Sequence, residues 1–457
     1  MEILTMKQKS FLWLSLLCIS SNLFSSEPIV GAYYENWSQY RPPSGGRVAF
    51  FPNLIDPSIL TDLYYAFGVF GFVTKSIDPT NPHLTGDYTI QPVEWNDQST
   101  LYPQVMALKQ INPKLRNLLS IGGWSFNDPT DPMGQYTYKL FSEMVSSESN
   151  RNNFIQSAIS YAHQYGFDGI DIDWEYPGDS TRGGNPNDFA NFLTFLKECN
   201  TAFKSATPAL LLTYASPAIV PNGVPDSYKN NPNSFFQWIA ECSNYLDRLN
   251  LMAYDYHGAF DNPQLTGVNA PLNGDTNPAS NLFIYETLQN YLKNGVPAGK
   301  IVLGMPTYGH SFAGVSSMTD ADNGPGKPFI AAGPAGPSTG TPGFLAYFEV
   351  ADMIATGSLI FASDVPTNTA YGFNLNTQEW VSFDTPDTID LKVKLAQSLN
   401  LMGGMFWAVD DDEYQWGEKY PNIRKGYSLF YPLDLQDPTK AQKSQDENPF
   451  EAPSEQF

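Results

Sequence analysis

Three of the 457 residues are cysteine and four are histidine. Cys18 lies in the N-terminal apolar stretch, so Cys199 and Cys242 can form at most one disulfide. They fit equally well as two small buried apolar residues. Basic residues are also scarce: 25 Lys and Arg stand against 47 Asp and Glu, a net charge of -22. That balance argues against a nucleic-acid partner, whose phosphates need a basic surface, and against an anionic membrane. It reads as a solubility device. Long apolar runs are missing. The strongest, "FLWLSLLCIS" at 11–20, is too short to span a bilayer. It follows Lys7 and Lys9 and precedes small polar residues. This is the pattern of an export signal over 1–26, so a secreted protein is expected.

Aromatic residues are abundant, at 14% of the chain, with 26 Tyr, 30 Phe and 9 Trp. Some must be core. Others can serve as flat platforms for ligands with apolar faces, such as sugar rings.

Eight strand-like apolar runs recur, at 28–37, 62–70, 116–124, 167–175, 209–218, 248–256, 300–309 and 403–412. Amphipathic segments such as "RNNFIQSAISYAHQYG" separate most of them. Alternating strand and helix implies a parallel sheet, and eight such units imply a closed (β/α)8 barrel within 27–433. The spacing fails once. Between runs seven and eight, residues 311–384 are rich in Gly, Pro and Thr, which predicts a small α+β insertion. "DTIDLKVKLAQSLNL" after it supplies the seventh helix. Residues 434–457 turn polar and acidic and read as a disordered tail. No internal repeat is evident.

The fourth run, "FDGIDIDWEYP", packs Asp168, Asp171, Asp173 and Glu175 among Ile, Trp and Gly. Side chains alternate along a strand. Asp171, Asp173 and Glu175 therefore share the face toward the barrel axis, and Ile170, Ile172 and Trp174 face the helices. Asp168 has the opposite parity and is expected to fix the strand's entry. Stacked carboxylates repel, so at least one pKa must rise and the set must titrate as a unit. That is how a Glu becomes a proton donor near neutral pH. Calcium sites use Gly-bearing loops with carbonyl ligands, unlike this apolar β run; no metal or cofactor is expected. Ordinary glycosidases place two carboxylates on opposite sides of the scissile bond. Asp173 and Glu175 lie on one side of one strand and cannot straddle a ring. A substrate carrying its own nucleophile, an N-acetyl group beside the anomeric carbon, removes the difficulty.

This stretch resembles the Asp-x-x-Asp-x-Asp-x-Glu motif of family-18 chitinases. In order along the chain, so do "AYYENWSQYRP", "YAF" (65–67), "SIGGWSF" (120–126), "MAYDYHG" (252–258), "GMPTYGHSF" (304–312), "GFLAYFEV" (343–350) and "GGMFWAVDDDE" (403–413). The resemblance spans about 28–432. It implies hydrolysis of chitin or chito-oligosaccharides, with retention through an oxazolinium ion, by a monomer. It assigns Glu175 as the acid and Asp173 as the partner of the acetamido N–H. Asp171 shares a proton with Asp173, and Tyr254 bonds the acetamido oxygen. Trp407 becomes the floor of the reacting sugar's subsite, Asp255 a sugar-binding carboxylate and Met252 a packing residue beneath the ring. Tyr33, Trp37, Phe67, Gly123, Trp124, Tyr308, His310 and Glu349 become groove residues. The chain departs from the family pattern at His310, where many relatives carry Arg, and at Phe260, where they often carry Trp. His163 and His257 read as structural. Two other readings share these motifs: an endo-β-N-acetylglucosaminidase acting on N-glycan cores, and a lectin-like chitin binder. The retained acids argue against the lectin, and "MAYD" with the insertion argues for the chitin enzyme.

Overall fold

The computed structural model describes residues 27–274 and 281–432; the expected export signal and acidic tail lie outside the described residues. Eight parallel strands form the barrel: β1 (Ile29–Glu35), β2 (Asp62–Phe70), β3 (Arg116–Gly122), β4 (Gly169–Asp173), β5 (Leu211–Pro217), β6 (Arg248–Met252), β7 (Ile301–Pro306) and β8 (Gly403–Trp407). Each pairs with its sequence neighbour, and β1 pairs with both β2 and β8, which closes the ring. All eight lie within the expected runs, several of which extend past the end of the strand. Helices such as Glu148–Tyr165 and Asp188–Ser205 follow most strands. β1 is the exception: only 3-10 turns, such as Asn36–Tyr40 and Pro52–Leu54, join it to β2.

β4 shows why this sequence makes a barrel strand. Ile170, Ile172 and Trp174 are fully buried against the helix layer. Trp174 stacks on Phe141 at 5.1 Å and meets the edge of Phe192. Burying each such side chain stabilises by about 1.5–3 kcal/mol, and this outer face holds the strand while its inner face carries acids. Asp168 serves the strand's entry, as expected. Its Oδ2 accepts from Asn117 N at 2.7 Å and Lys109 Nζ at 2.5 Å.

The insertion is a second, antiparallel sheet built on Tyr308–Ala313, Thr369–Asn374, Glu379–Phe383 and shorter strands, with the helix Tyr347–Ala355. It has its own apolar clusters, one around Phe312 and Trp380 and one around Val350 and Val381. The seventh run divides earlier than expected. Pro306 ends the parallel ladder, and from Tyr308 the chain already belongs to the second sheet. Cys199 and Cys242 are both buried and free. Among the described residues no helix is long and apolar enough to cross a membrane.

Candidate active site

Asp171 lies deepest. Its Oδ2 accepts from Tyr33 Oη at 2.9 Å and Ser120 Oγ at 2.8 Å; its Oδ1 accepts from Thr213 Oγ1 and from Asn250 Nδ2 at 3.2 Å. The donors come from β1, β3, β5 and β6, so four strands converge on one carboxylate. Burial raises its pKa to about 6, against the pull of these hydrogen bonds.

Asp173, one step toward the mouth, is different. It is 2% exposed, and its Oδ1 has no hydrogen-bond partner. Tyr254 Oη, beyond β6, is likewise buried and unpaired. Unpaired buried polar atoms are costly; others occur elsewhere in the fold, at Tyr34 and Tyr214 for example, but these two face each other beside Glu175. Burial, then the charges of Glu175 and Asp171, push the Asp173 carboxyl well above the ordinary range. Glu175 follows β4 and is also buried. Burial raises it to about 7, helped by Asp255 and opposed by Tyr176 and Arg182. Asp173 and Glu175 therefore hold a proton between them into the neutral range.

Aromatic rings frame this pocket. Trp407, the last residue of β8, lies 5.1 Å from Tyr33, 5.7 Å from Phe67 and 6.5 Å from Trp37. Trp37 is 39% exposed and Trp124 54% exposed, each at the barrel mouth. Gly123 is required beside Phe67. Its φ is +91°, and a Cβ there would lie 2.6 Å from the Phe67 ring. Its N–H donates to Asp173 O at 2.9 Å.

On the opposite wall Asp255 holds φ +59°, a region uncommon for any residue with a side chain. Three bonds fix it there. Its N–H donates to Asn269 Oδ1 at 2.9 Å, and its Oδ1 receives Tyr308 Oη at 2.5 Å and His310 Nε2 at 2.7 Å. Phe260 is exposed and stands edge-on to His310. Met252 is half-buried at the end of β6.

Two expected groove residues do other work. Tyr33 is buried beneath Trp407, stacked on Tyr64 at 4.7 Å, and spends its hydroxyl on Asp171. Glu349 is 3% exposed. Its carboxylate accepts from the N–H groups of Ser338, Thr339 and Ala346 and from Thr339 Oγ1, capping the insertion's helix. No lone pair is left for a sugar.

The residue sequence reasoning missed is Arg182. Its Nε donates to Glu175 O at 2.6 Å, and its guanidinium lies 3.5 Å over the Trp124 ring. A lone cation in the loop that leaves an acidic strand was the available signal. Asn250 and Ser120 were also missed. Both are uncharged polar residues among the apolar residues of a strand, Ser120 between Leu119 and Ile121 and Asn250 between Leu249 and Leu251.

The cluster of Glu35, Asp410 and Asp411 has a geometry that could hold a metal. Arg41 sits within it, its Nη2 at 2.6, 2.9 and 2.7 Å from the three carboxylates. The guanidinium stands where a cation would bind.

Residues 29–412 match the family model for glycosyl hydrolases family 18. Mouse chitotriosidase-1 is 34% identical over 428 residues, covering 91% of this chain and 81% of that protein. The Ostrinia furnacalis group IV chitinase, solved with allosamidin, superposes with TM-score 0.74 at 28% identity, covering 89% of this chain and 99% of that one. Human YKL-39, described as a pseudo-chitinase that retains chitooligosaccharide binding, superposes with TM-score 0.71 at 28% identity, covering 88% and 99%. The fold and site thus define a glycoside-hydrolase barrel, and the chain belongs to glycosyl hydrolases family 18.

Proposed function

We propose that the protein is a secreted chitinase that hydrolyses β-1,4-linked N-acetylglucosamine chains with retention, using the substrate's acetamido oxygen as the nucleophile. One observation carries the reading: Asp173 Oδ1 and Tyr254 Oη are buried and unpaired beside Glu175. A carboxylate acceptor and a phenol donor match the N–H and C=O of an acetamido group. Glu175 protonates the glycosidic oxygen, and the C–O bond to the leaving sugar breaks. The acetamido oxygen closes on the anomeric carbon to give an oxazolinium ion. Asp173 accepts the N–H bond and balances the positive charge; Tyr254 orients the oxygen. Water then attacks the anomeric carbon, giving its proton to Glu175, and the ring reopens. Trp407, Trp37, Phe67 and Trp124 offer faces to the sugars, while Met252, Asp255, Tyr308 and His310 line the wall.

The acetamido requirement makes the test. Chitin oligomers should be cleaved with retention, and fully deacetylated chitosan should stay intact. A partly acetylated chitosan should yield new reducing ends that are all N-acetylglucosamine. Glucosamine at those ends would mean that a protein group is the nucleophile. Binding without cleavage of any of these would place the chain with YKL-39 instead. Release of glycans from a high-mannose glycoprotein, in preference to chitin oligomers, would favour the N-glycan enzyme.

A further inference from the structure

We infer that Arg182 is a positioning residue that ties the proton donor to the Trp124 platform. The inference rests on Glu175 being that donor. One guanidinium makes three contacts: Nε to Glu175 O at 2.6 Å, Nη2 to Trp124 O, and its plane 3.5 Å over the Trp124 ring. Glu175 follows β4 and Trp124 follows β3, so Arg182 clamps the ends of two adjacent strands where the acid and an exposed aromatic stand. The main chain on both sides of the guanidinium is thereby fixed relative to it.

Arg182 is itself held firmly. It closes a 3-10 turn, Ser180–Arg182, in which Asp179 O receives the N–H groups of Arg182 and Gly184. Asp179 Oδ1 accepts from Thr181 N at 2.9 Å. Gly183 has φ +82°, and a Cβ there would lie 2.2 Å from Tyr138 O, so the turn sits directly on the β3 loop. The Arg182 side chain is buried, yet no carboxylate lies within ion-pair distance of it among the described residues. A buried cation without a contact anion is unfavourable unless its donors are hydrogen-bonded and opposite charges lie nearby. Its charge faces Asp173 and Glu175 on the β4 side and Asp128 on the β3 loop, and Asp255 faces Glu175 from across the groove. Arg182 therefore compensates the acids while leaving their oxygens free to react. It does so because its donors go to backbone carbonyls.

Charge and fork can be separated by substitution. Arg182→Gln removes both, and Arg182→Lys keeps the charge but cannot span two carbonyls and a ring. In Arg182→Gln, kcat on chitin oligomers should fall by about 100-fold, the scale of a small misplacement of a catalytic group. The alkaline limb of its kcat profile should move to higher pH, because loss of a cation favours the protonated acid. In Arg182→Lys the limb should stay, while oligomer affinity, read from Trp fluorescence in a Glu175→Gln background, should fall by about tenfold through the loosened ring. Near-wild-type kcat and affinity in both variants would overturn the proposal. So would an unmoved limb in Arg182→Gln, or equal limb shifts in the two variants. If Arg182→Gln fails to fold, Arg182→Lys decides alone: lost affinity with an unmoved limb supports the clamp, and unchanged affinity overturns it. Glu175→Gln assayed alone separates the two claims, since turnover there would sink the acid assignment whatever Arg182 does.

Discussion

Two buried acid triads among the described residues each have one arginine, and they are arranged in opposite ways. In the first, Arg41 spends its guanidinium directly on Glu35, Asp410 and Asp411 and also donates to Asp410 O at 2.6 Å. In the second, Arg182 points at carbonyl groups and none of its donors reaches a carboxylate; unpaired carboxylate oxygens occur in both triads, at Asp173 here and at Asp410 and Asp411 in the first. Both triads are fully enclosed and both raise carboxyl pKa values, to about 8 for Asp411 and about 7 for Glu175. Burial and perturbed titration therefore do not by themselves distinguish a reactive site from a brace. What distinguishes them is where the cation's donors go. The first triad joins the end of β1 to the loop after β8, with Glu35 N donating to Asp410 Oδ1 at 3.0 Å. It steadies Trp37 and Trp407, which flank it in sequence.

The largest effect should come from breaking the reactive triad. Glu175→Gln is isosteric but cannot donate the proton. We expect kcat to fall by about a thousandfold or more, with chito-oligosaccharide binding retained. Steady-state kinetics with calorimetric binding checks both, and near-wild-type turnover would defeat the assignment. The same exchange in the brace, Asp411→Asn, should leave kcat within a few-fold, because that carboxylate's hydrogen bond goes to Arg41 and not toward the pocket.

Breaking the brace should cost stability. Arg41→Met leaves three enclosed carboxylates without their cation, and removal of one partner of a buried ion pair typically costs about 3–5 kcal/mol. Thermal unfolding of the variant should show this as a clear drop in Tm. The pH dependence has a defined sign. Burial, chiefly, raises Asp411 in the folded state to about 8, against about 3.9 for an unfolded Asp. The folded protein thus binds more protons, and this contribution is fully present below about pH 4 and lost as pH rises toward 8. Asp411→Asn should flatten that alkaline loss in Tm measured from pH 5 to 9; an unchanged slope would show that the triad does not titrate there.

Much of this was legible because strands have period two. The parity of Asp171, Asp173 and Glu175 against Ile170, Ile172 and Trp174 is enough to identify the inner face. The eight apolar runs reproduced the barrel for the same reason. Loop side chains have no such period. Nothing in "YPGDSTRGG" says that Arg182 turns back onto Glu175 rather than out to water. Tyr33 was placed in the groove because an aromatic at a strand end reads alike whether it faces ligand or a neighbouring ring. Glu349 was misplaced although its position carried a cue: a Glu at the third residue of the helix Tyr347–Ala355 is where a capping carboxylate belongs. The Glu35–Arg41–Asp410–Asp411 brace was invisible because its two halves lie far apart in the chain, Arg41 being 369 and 370 positions from Asp410 and Asp411.

His310 and Asp255 form a third arrangement, between brace and reactive site, and here the expected effect is smallest. Asp255 is about half exposed, and the His310 side chain is 13% exposed. Nδ1 of His310 faces Gly343 O at 3.2 Å and Nε2 faces Asp255 Oδ1. A carbonyl and a carboxylate only accept, so both ring nitrogens must carry hydrogen to satisfy them, which favours the imidazolium. Burial pulls the His310 pKa down, but the hydrogen bond and charge of Asp255 outweigh it, and the net shift is upward. The pairing is therefore fully present below about pH 6.5, the ordinary His value, and is lost as pH rises through the elevated folded value. Above that, the neutral ring keeps one N–H for two acceptors, so either Gly343 O or Asp255 Oδ1 faces a lone pair, and the positive charge that balances Asp255 is gone. Chito-oligosaccharide affinity should weaken by a few-fold across the alkaline side of neutrality. His310→Arg supplies a cation that does not titrate there, and it should hold affinity flat. Binding measured for both proteins from pH 5 to 9, in a Glu175→Gln background to prevent turnover, decides the matter. Parallel curves would mean that His310 does not govern Asp255.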